Sequence, residues 1–147
     1  MTTTLVRSAD VAPQRWRNGG GFTRELLLRP PARRWHARVS VADIEADAPF
    51  SAYPGVMRWF AVVKGAGVEL AVDGERHRLQ RGDAPFVFAG HSDTRCRLLD
   101  GPAQGLNLML QGARGAMELA ADGQPCTPPE GAGCGLYALA AGRCAGV

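Results

Sequence analysis

Val68-Glu69-Leu70-Ala71-Val72-Asp73-Gly74-Glu75-Arg76-His77-Arg78-Leu79 decides the fold class. Val68, Leu70 and Val72 alternate with Glu69 and Ala71, and a period of two places the apolar side chains on one face of a strand. Asp73-Gly74 then separates this run from the return run at residues 75–79. A two-residue Asp-Gly loop between two such runs is a strong hairpin signal, because a type I′ turn needs φ > 0 at both central residues.

The same period extends outward from the hairpin. Upstream, Trp35, Ala37, Val39 and Val41 fall on one face and Arg34, His36, Arg38 and Ser40 on the other, which predicts a half-buried strand with a mixed polar face. Met57-Arg58-Trp59-Phe60-Ala61-Val62-Val63 reads as a more fully buried strand, and Lys64-Gly65-Ala66-Gly67 turns it into the hairpin. Downstream, Gly82-Asp83 marks a turn before Pro85-Phe86-Val87-Phe88. Further strands are predicted at residues 94–99, 106–110 and 117–119, with a last one at 136–140. The Gly- and Pro-rich stretch 122–133 reads as a loop. One short helix is predicted at 41–47, carried by Asp43, Glu45 and Asp47. Strands at intervals of about ten residues, separated by turns, indicate an all-β sandwich or barrel. A barrel is favoured, since closure removes exposed edges.

The 147 residues suit a single domain spanning 1–147. A chain of that size buries roughly 70% of its unfolded surface without staples. Seventeen basic residues against 14 acidic ones give a net charge of +3. Lys64 is the only lysine. The arginines form no long like-charge block and are not interleaved with a stacking array of aromatics, so no nucleic-acid partner is expected. The first ten residues lack an apolar core of the signal-peptide kind, and no run approaches the ~18 apolar residues of a membrane helix. The expectation is therefore a cytoplasmic protein with no membrane partner. In that compartment Cys96, Cys126, Cys134 and Cys144 would be reduced, and their spacings match no zinc pattern.

Three segments carry the chemistry. In Trp16-Arg17-Asn18-Gly19-Gly20-Gly21-Phe22-Thr23-Arg24-Glu25, three consecutive glycines imply either a tight corner or an exposed row of N–H groups able to hold an anion. Pro49-Phe50-Ser51-Ala52-Tyr53-Pro54-Gly55 forms a rigid loop leading to Arg58. An arginine entering a barrel there can fork onto a ligand carboxylate or form a salt bridge with a local acid such as Glu25. In Gly105-Leu106-Asn107-Leu108-Met109, Asn107 and Met109 share a face, and a buried Asn107 needs either backbone or ligand partners.

No metal site or cofactor is expected. His36, His77 and His91 are widely separated and form no His-x-His pair of the kind metal-dependent barrels use. Ser40 and Ser51 lack the context of a nucleophile elbow, and nothing near the cysteines would activate a thiolate. No catalytic residue is assigned. The enzymatic alternative is a metal-free isomerase or epimerase acting on a small polar acid, with Glu25 as base and His36 or Tyr53 as its partner.

The motif Trp16-x-Asn18-Gly19-Gly20-Gly21-x-Thr23-x-Glu25 closely resembles the signature of the HutD/Ves family. The agreement continues through Ser40, Phe50-Ser51, Tyr53-Pro54-Gly55, Arg58, Gly65-x-Gly67, Leu79, Pro85-Phe86, Phe88 and Asn107-x-Met109, over about residues 10–111. The resemblance implies a cupin-like, RmlC-type jelly roll. Family chains commonly pack two cupin-like halves, so two alternatives follow for residues 112–147: a divergent, shortened second half, or an open edge covered by another chain, as in a homodimer. The resemblance also implies a link to histidine utilisation for the HutD branch and to cold or stress response for the Ves branch, with no established enzymatic activity. Two positions depart from the family pattern: Gly105 stands where an acidic residue is usual, and Gln111-Gly112 where an arginine commonly follows.

The expected function is non-catalytic binding of a small carboxylate in the barrel, of the urocanate or formylglutamate kind by family resemblance. Trp16 would supply an apolar wall. Asn18 and the backbone of Gly19, Gly20 and Gly21 would supply donors, and Arg58 would pair the carboxylate. Thr23, Glu25, Ser40, Ser51 and Asn107 would orient the ligand. A scaffold protein with no ligand would instead show Arg58 fully paired within the chain.

Overall fold

Alternating apolar residues give ten strands in the computed structural model, which describes residues 3–125 and 127–140. They are β1 (Gln14–Arg15), β2 (Gly21–Arg29), β3 (Ala37–Ile44), β4 (Ala48–Pro49), β5 (Met57–Lys64), β6 (Val68–Val72), β7 (Glu75–Leu79), β8 (Phe86–Ala89), β9 (Thr94–Leu98) and β10 (Ala103–Leu110). One 3-10 turn, Ser8–Asp10, precedes them. All strand pairs are antiparallel. One sheet has the order β1-β2-β3-β10-β5-β8 and the other β4-β9-β6-β7. No helix among the described residues is long and apolar enough to cross a membrane.

The β6–β7 hairpin forms as the sequence predicts. Val72 pairs with Glu75, and Asp73 and Gly74 take φ of 49° and 83°, the positive pair that a type I′ turn requires. Val68 and Leu70 are fully buried on the inward face of β6. They meet Phe60, Val62, Ala42 and Ile44 of the opposite sheet in the core cluster.

The predicted helix at 41–47 does not form. Residues 41–44 complete β3, which lies between β2 and β10 and is paired on both sides. The chain then bends, with Glu45 and Ala46 donating their N–H groups to Gly20 O at 2.9 and 3.1 Å. At its middle β3 is buried on both faces, with Ser40 2%, Val41 0% and Ala42 4% exposed. The mixed polar face of the predicted half-buried strand is not its solvent face, since Arg38 and Ser40 share the parity of the core residues Ala42 and Ile44. Both face inward, and Trp35 and His36 precede the strand.

The described chain divides into two contact units, residues 6–119 with every strand, and residues 3–5 with 120–140. The strands expected at 117–119 and at 136–140 are absent; both runs are irregular. Three- to five-residue apolar runs with no partner strand have nothing to satisfy their backbone groups as a ladder would. In the second unit a turn joins Gln124 N to Ala121 O at 3.1 Å. Cys134 there is disulfide-bonded, so the expectation that all four cysteines are reduced does not hold at that position. Cys96 is free and buried, while Cys126 and Cys144 lie outside the described residues.

Candidate functional site

The inner face of the six-stranded sheet brings two cross-strand rows together. One runs Glu25, Ser40, Asn107, Phe60 and Phe86; its neighbour runs Leu28, Arg38, Met109, Arg58 and Phe88. Registers alone place Arg58 diagonally across from Asn107, and Arg38 diagonally across from Glu25. Residues two apart on facing strands are within reach of long side chains.

Arg58 is 4% exposed. Its Nη2 donates to Asn107 Oδ1 at 2.9 Å, and its Nε is buried with no partner. The guanidinium lies 5.0 Å from the Phe88 ring centroid, 5.3 Å from Phe50 and 5.6 Å from Tyr53. Burial pushes its pKa down to about 10; the nearby charge of Arg38 acts in the same direction, and Tyr53 opposes it. Arg58 thus stays cationic at neutral pH inside an aromatic cage, and no carboxylate of a described residue pairs with it.

The local acid is engaged elsewhere. Glu25 Oε1 accepts from Arg38 Nε at 3.0 Å, and Arg38 Nη1 donates to Tyr53 Oη at 3.4 Å. The alternative that Arg58 forms a salt bridge with Glu25 is therefore corrected. Arg38, Phe50 and Phe88 were not assigned to the site from sequence. The signal for Arg38 was its parity with Ser40 on β3, which acquires meaning only through the β2–β3 register.

The glycine motif forms a tight corner. Gly19 N donates to Trp16 O at 3.0 Å and Gly20 N to Asn18 Oδ1 at 2.9 Å. Asn18 Nδ2 donates to Pro49 O at 3.2 Å. Gly19 N, Gly20 N and Asn18 Nδ2 thus have partners within the chain. Close approach explains two of the glycines: a Cβ on Gly20 would lie 2.6 Å from Ala48 Cβ, and one on Gly21 would lie 2.2 Å from Asp43 O. Four residues of strand, roughly 13 Å, separate Gly21 from Glu25. The corner is linked to Arg58 through rings: Trp16 meets Phe50 edge-on with centroids 6.0 Å apart. Trp16 Nε1 donates to Thr23 Oγ1 at 2.7 Å, so Thr23 orients Trp16. Ser40 is buried beside Asn107 in register, whereas Ser51 is exposed on the loop.

The remaining polar candidates are dispersed. His36 is exposed, with Nδ1 3.1 Å from Gln111 O; the His77 ring lies tilted against Phe86 with centroids 4.3 Å apart; His91 is exposed. Among the described residues no group of three or more His, Cys, Asp or Glu side chains could hold a metal ion. At Gly105, a Cβ would lie 2.3 Å from the Phe60 ring. Gly105 thus leaves room for the Phe60 ring. Two surface concavities, of about 410 and 740 Å³, do not include Arg58.

A family model described as HutD matches residues 8–142. The chain is 37% identical over 109 residues to an uncharacterized 21.2 kDa protein in the hutC 3′ region of Pseudomonas putida, covering 71% of this chain and 56% of that one. It is 41% identical over 99 residues to the protein Ves of Citrobacter koseri, covering 65% and 51%. The chain therefore spans about half the length of these curated relatives. Its fold is similar to that of HutD from Pseudomonas fluorescens SBW25, with a TM-score of 0.68, 37% identity, and coverage of 72% of this chain and 59% of that one. An RmlC-like cupin from Shewanella frigidimarina, 14% identical, matches with a TM-score of 0.56 over 76% and 93% of the two chains. The fold is cupin-like, and the chain belongs to the HutD family.

Proposed function

We propose that this protein binds a small carboxylate through Arg58 without catalysing a reaction, as a modulator linked to histidine utilisation or stress response. The observation that carries this reading is the unpartnered Nε of a buried arginine that has no carboxylate partner among the described residues. A buried unpaired charge costs several kcal/mol. The Asn107 bond and the contacts to ring faces, the latter worth about 0.5–2 kcal/mol each, offset that cost without supplying an opposite charge. A ligand carboxylate would supply both the opposite charge and the acceptor that Nε lacks. Phe50, Tyr53 and Phe88 would hold the body of the ligand, and Asn107 and Ser40 would orient it. Because Arg58 is covered, entry requires the loop bearing Phe50 and Tyr53 to move aside. Urocanate and formylglutamate are the candidate ligands, by family membership.

The isomerase alternative receives no support from the geometry, since Glu25 would have to leave Arg38 to act as a base. Thermal unfolding against urocanate, formylglutamate, formate and histidine tests the binding reading. A ligand at 100 times its Kd adds about 2.7 kcal/mol, a shift of roughly 3 °C or more for a domain of this size. No shift with any of the carboxylates would refute the proposal.

A further inference from the structure

The strand alternation that buries Val68 and Leu70 turns Glu69 and Ala71 of β6 outward, together with Arg76 and Arg78 of β7 and Arg95 and Arg97 of β9. Four arginines thus share one sheet face. The registers arrange them in two rows of different character. In one, Arg97, Glu69 and Arg78 stand side by side, and Arg97 Nη2 donates to Glu69 Oε2 at 3.1 Å. In the other, Arg95 and Arg76 flank Ala71, and Pro49 of β4 lies beyond Arg95. That row holds no acid. Arg76 comes within only 4.0 Å of Glu69, and Arg95 forms no ion pair or hydrogen bond with any described residue. Asp47, the other nearby acid, accepts from Leu98 N at 2.8 Å.

Ala71 is the decisive small residue. With strands about 4.8 Å apart, Arg95 and Arg76 sit roughly 10 Å from each other across a floor that carries only a methyl group. These residues line a concavity of about 410 Å³ together with Asp47, Glu69 and Arg97. Two long guanidinium arms over a low floor can converge on one group from opposite sides. Guanidinium forks match the tetrahedral oxygens of a phosphoryl group, and arginine is the residue suited to bidentate contacts of this kind.

We propose that the outer face of the four-stranded sheet is a second anion site, in which Arg76 and Arg95 clasp a phosphoryl group over Ala71. The ligand is a free polyphosphate or a small phosphorylated molecule. The site is independent of the carboxylate reading at Arg58, which lies on the inner face of the other sheet.

Calorimetric titration with inorganic pyrophosphate and with adenosine diphosphate, at moderate ionic strength, tests it. Saturable binding tighter than about 1 mM is expected, weakening as salt rises. The Arg76→Gln/Arg95→Gln protein should lose at least tenfold in affinity, and Arg33→Gln, at an exposed arginine of the β2–β3 connection away from the four-stranded sheet, should retain it. Equal affinity for the two probes identifies a free phosphate as ligand; tenfold preference for the nucleotide identifies a phosphorylated small molecule. Absence of saturable binding, an equal loss in Arg33→Gln, or binding of a short DNA strand alone would each overturn the proposal.

Discussion

Arg58 Nη2 donates to Asn107 Oδ1 at 2.9 Å, and Asn107 is the one described side chain that offers the buried guanidinium an acceptor. The charge is otherwise surrounded by rings, with Nε unpartnered. An arrangement chosen for stability alone would have placed an acid there, or an apolar residue.

This makes the energetics of the pair asymmetric. Asn107→Leu should destabilise the protein by about 2–4 kcal/mol, because it strips the last acceptor from a buried charge. Arg58→Met/Asn107→Leu should be within about 1 kcal/mol of the wild type, because both polar partners leave together. Urea unfolding of the two single variants and the double variant measures this coupling directly. Additive single effects would mean that the hydrogen bond does not organise the interior.

The glycine corner yields a prediction about space. Gly21→Ala drives a Cβ to within 2.2 Å of the Asp43 carbonyl. Backbone must shift, so a loss of roughly 2–3 kcal/mol is expected. Gly19 has φ 75° but open surroundings, with its nearest neighbour an arginine side-chain end at 3.7 Å. Asparagine tolerates that conformation, so Gly19→Asn should cost less than about 1 kcal/mol. Denaturation midpoints of the two variants check the contrast.

Cys96 gives a pH signature. Burial, assisted by the charge of Asp47, pushes its thiol from 9.0 up to about 12. Between those values the unfolded chain has lost the proton and the folded chain has kept it. The contribution of the neutral thiol to stability is therefore complete below pH 9 and declines as pH rises toward 12. Cys96→Ala should cost about 1–2 kcal/mol at neutral pH through lost packing, and the difference from wild type should shrink at about pH 10.5. A difference that is constant with pH would refute this assignment.

The hairpin at residues 68–79 could be read from sequence because its determinants are local: a period of two and an Asp-Gly turn. The helix expected at 41–47 failed because Asp43 and Glu45 say little against pairing on both sides of β3, a property of the whole sheet. Met117-Glu118-Leu119 shows the converse; an apolar run predicts a strand only where a partner exists. In the site, the shared face of Asn107 and Met109 was legible as parity along β10, and Arg58 as a charge at the start of a buried strand. The bond between Asn107 and Arg58 was not, since it depends on the register between β10 and β5. The glycines were legible as a backbone requirement, but its cause, the Asp43 carbonyl and Ala48, lies more than twenty residues away.

The most direct test of the account is isothermal titration of urocanate and formylglutamate into the wild-type protein and into Arg58→Met/Asn107→Leu, a variant expected to keep its fold. The account predicts saturable binding of one of these acids to the wild type and at least a hundredfold loss in the folded variant, about 2.7 kcal/mol. Equal affinity in the two proteins, or no binding to the wild type, would contradict the claim that Arg58 waits for a carboxylate.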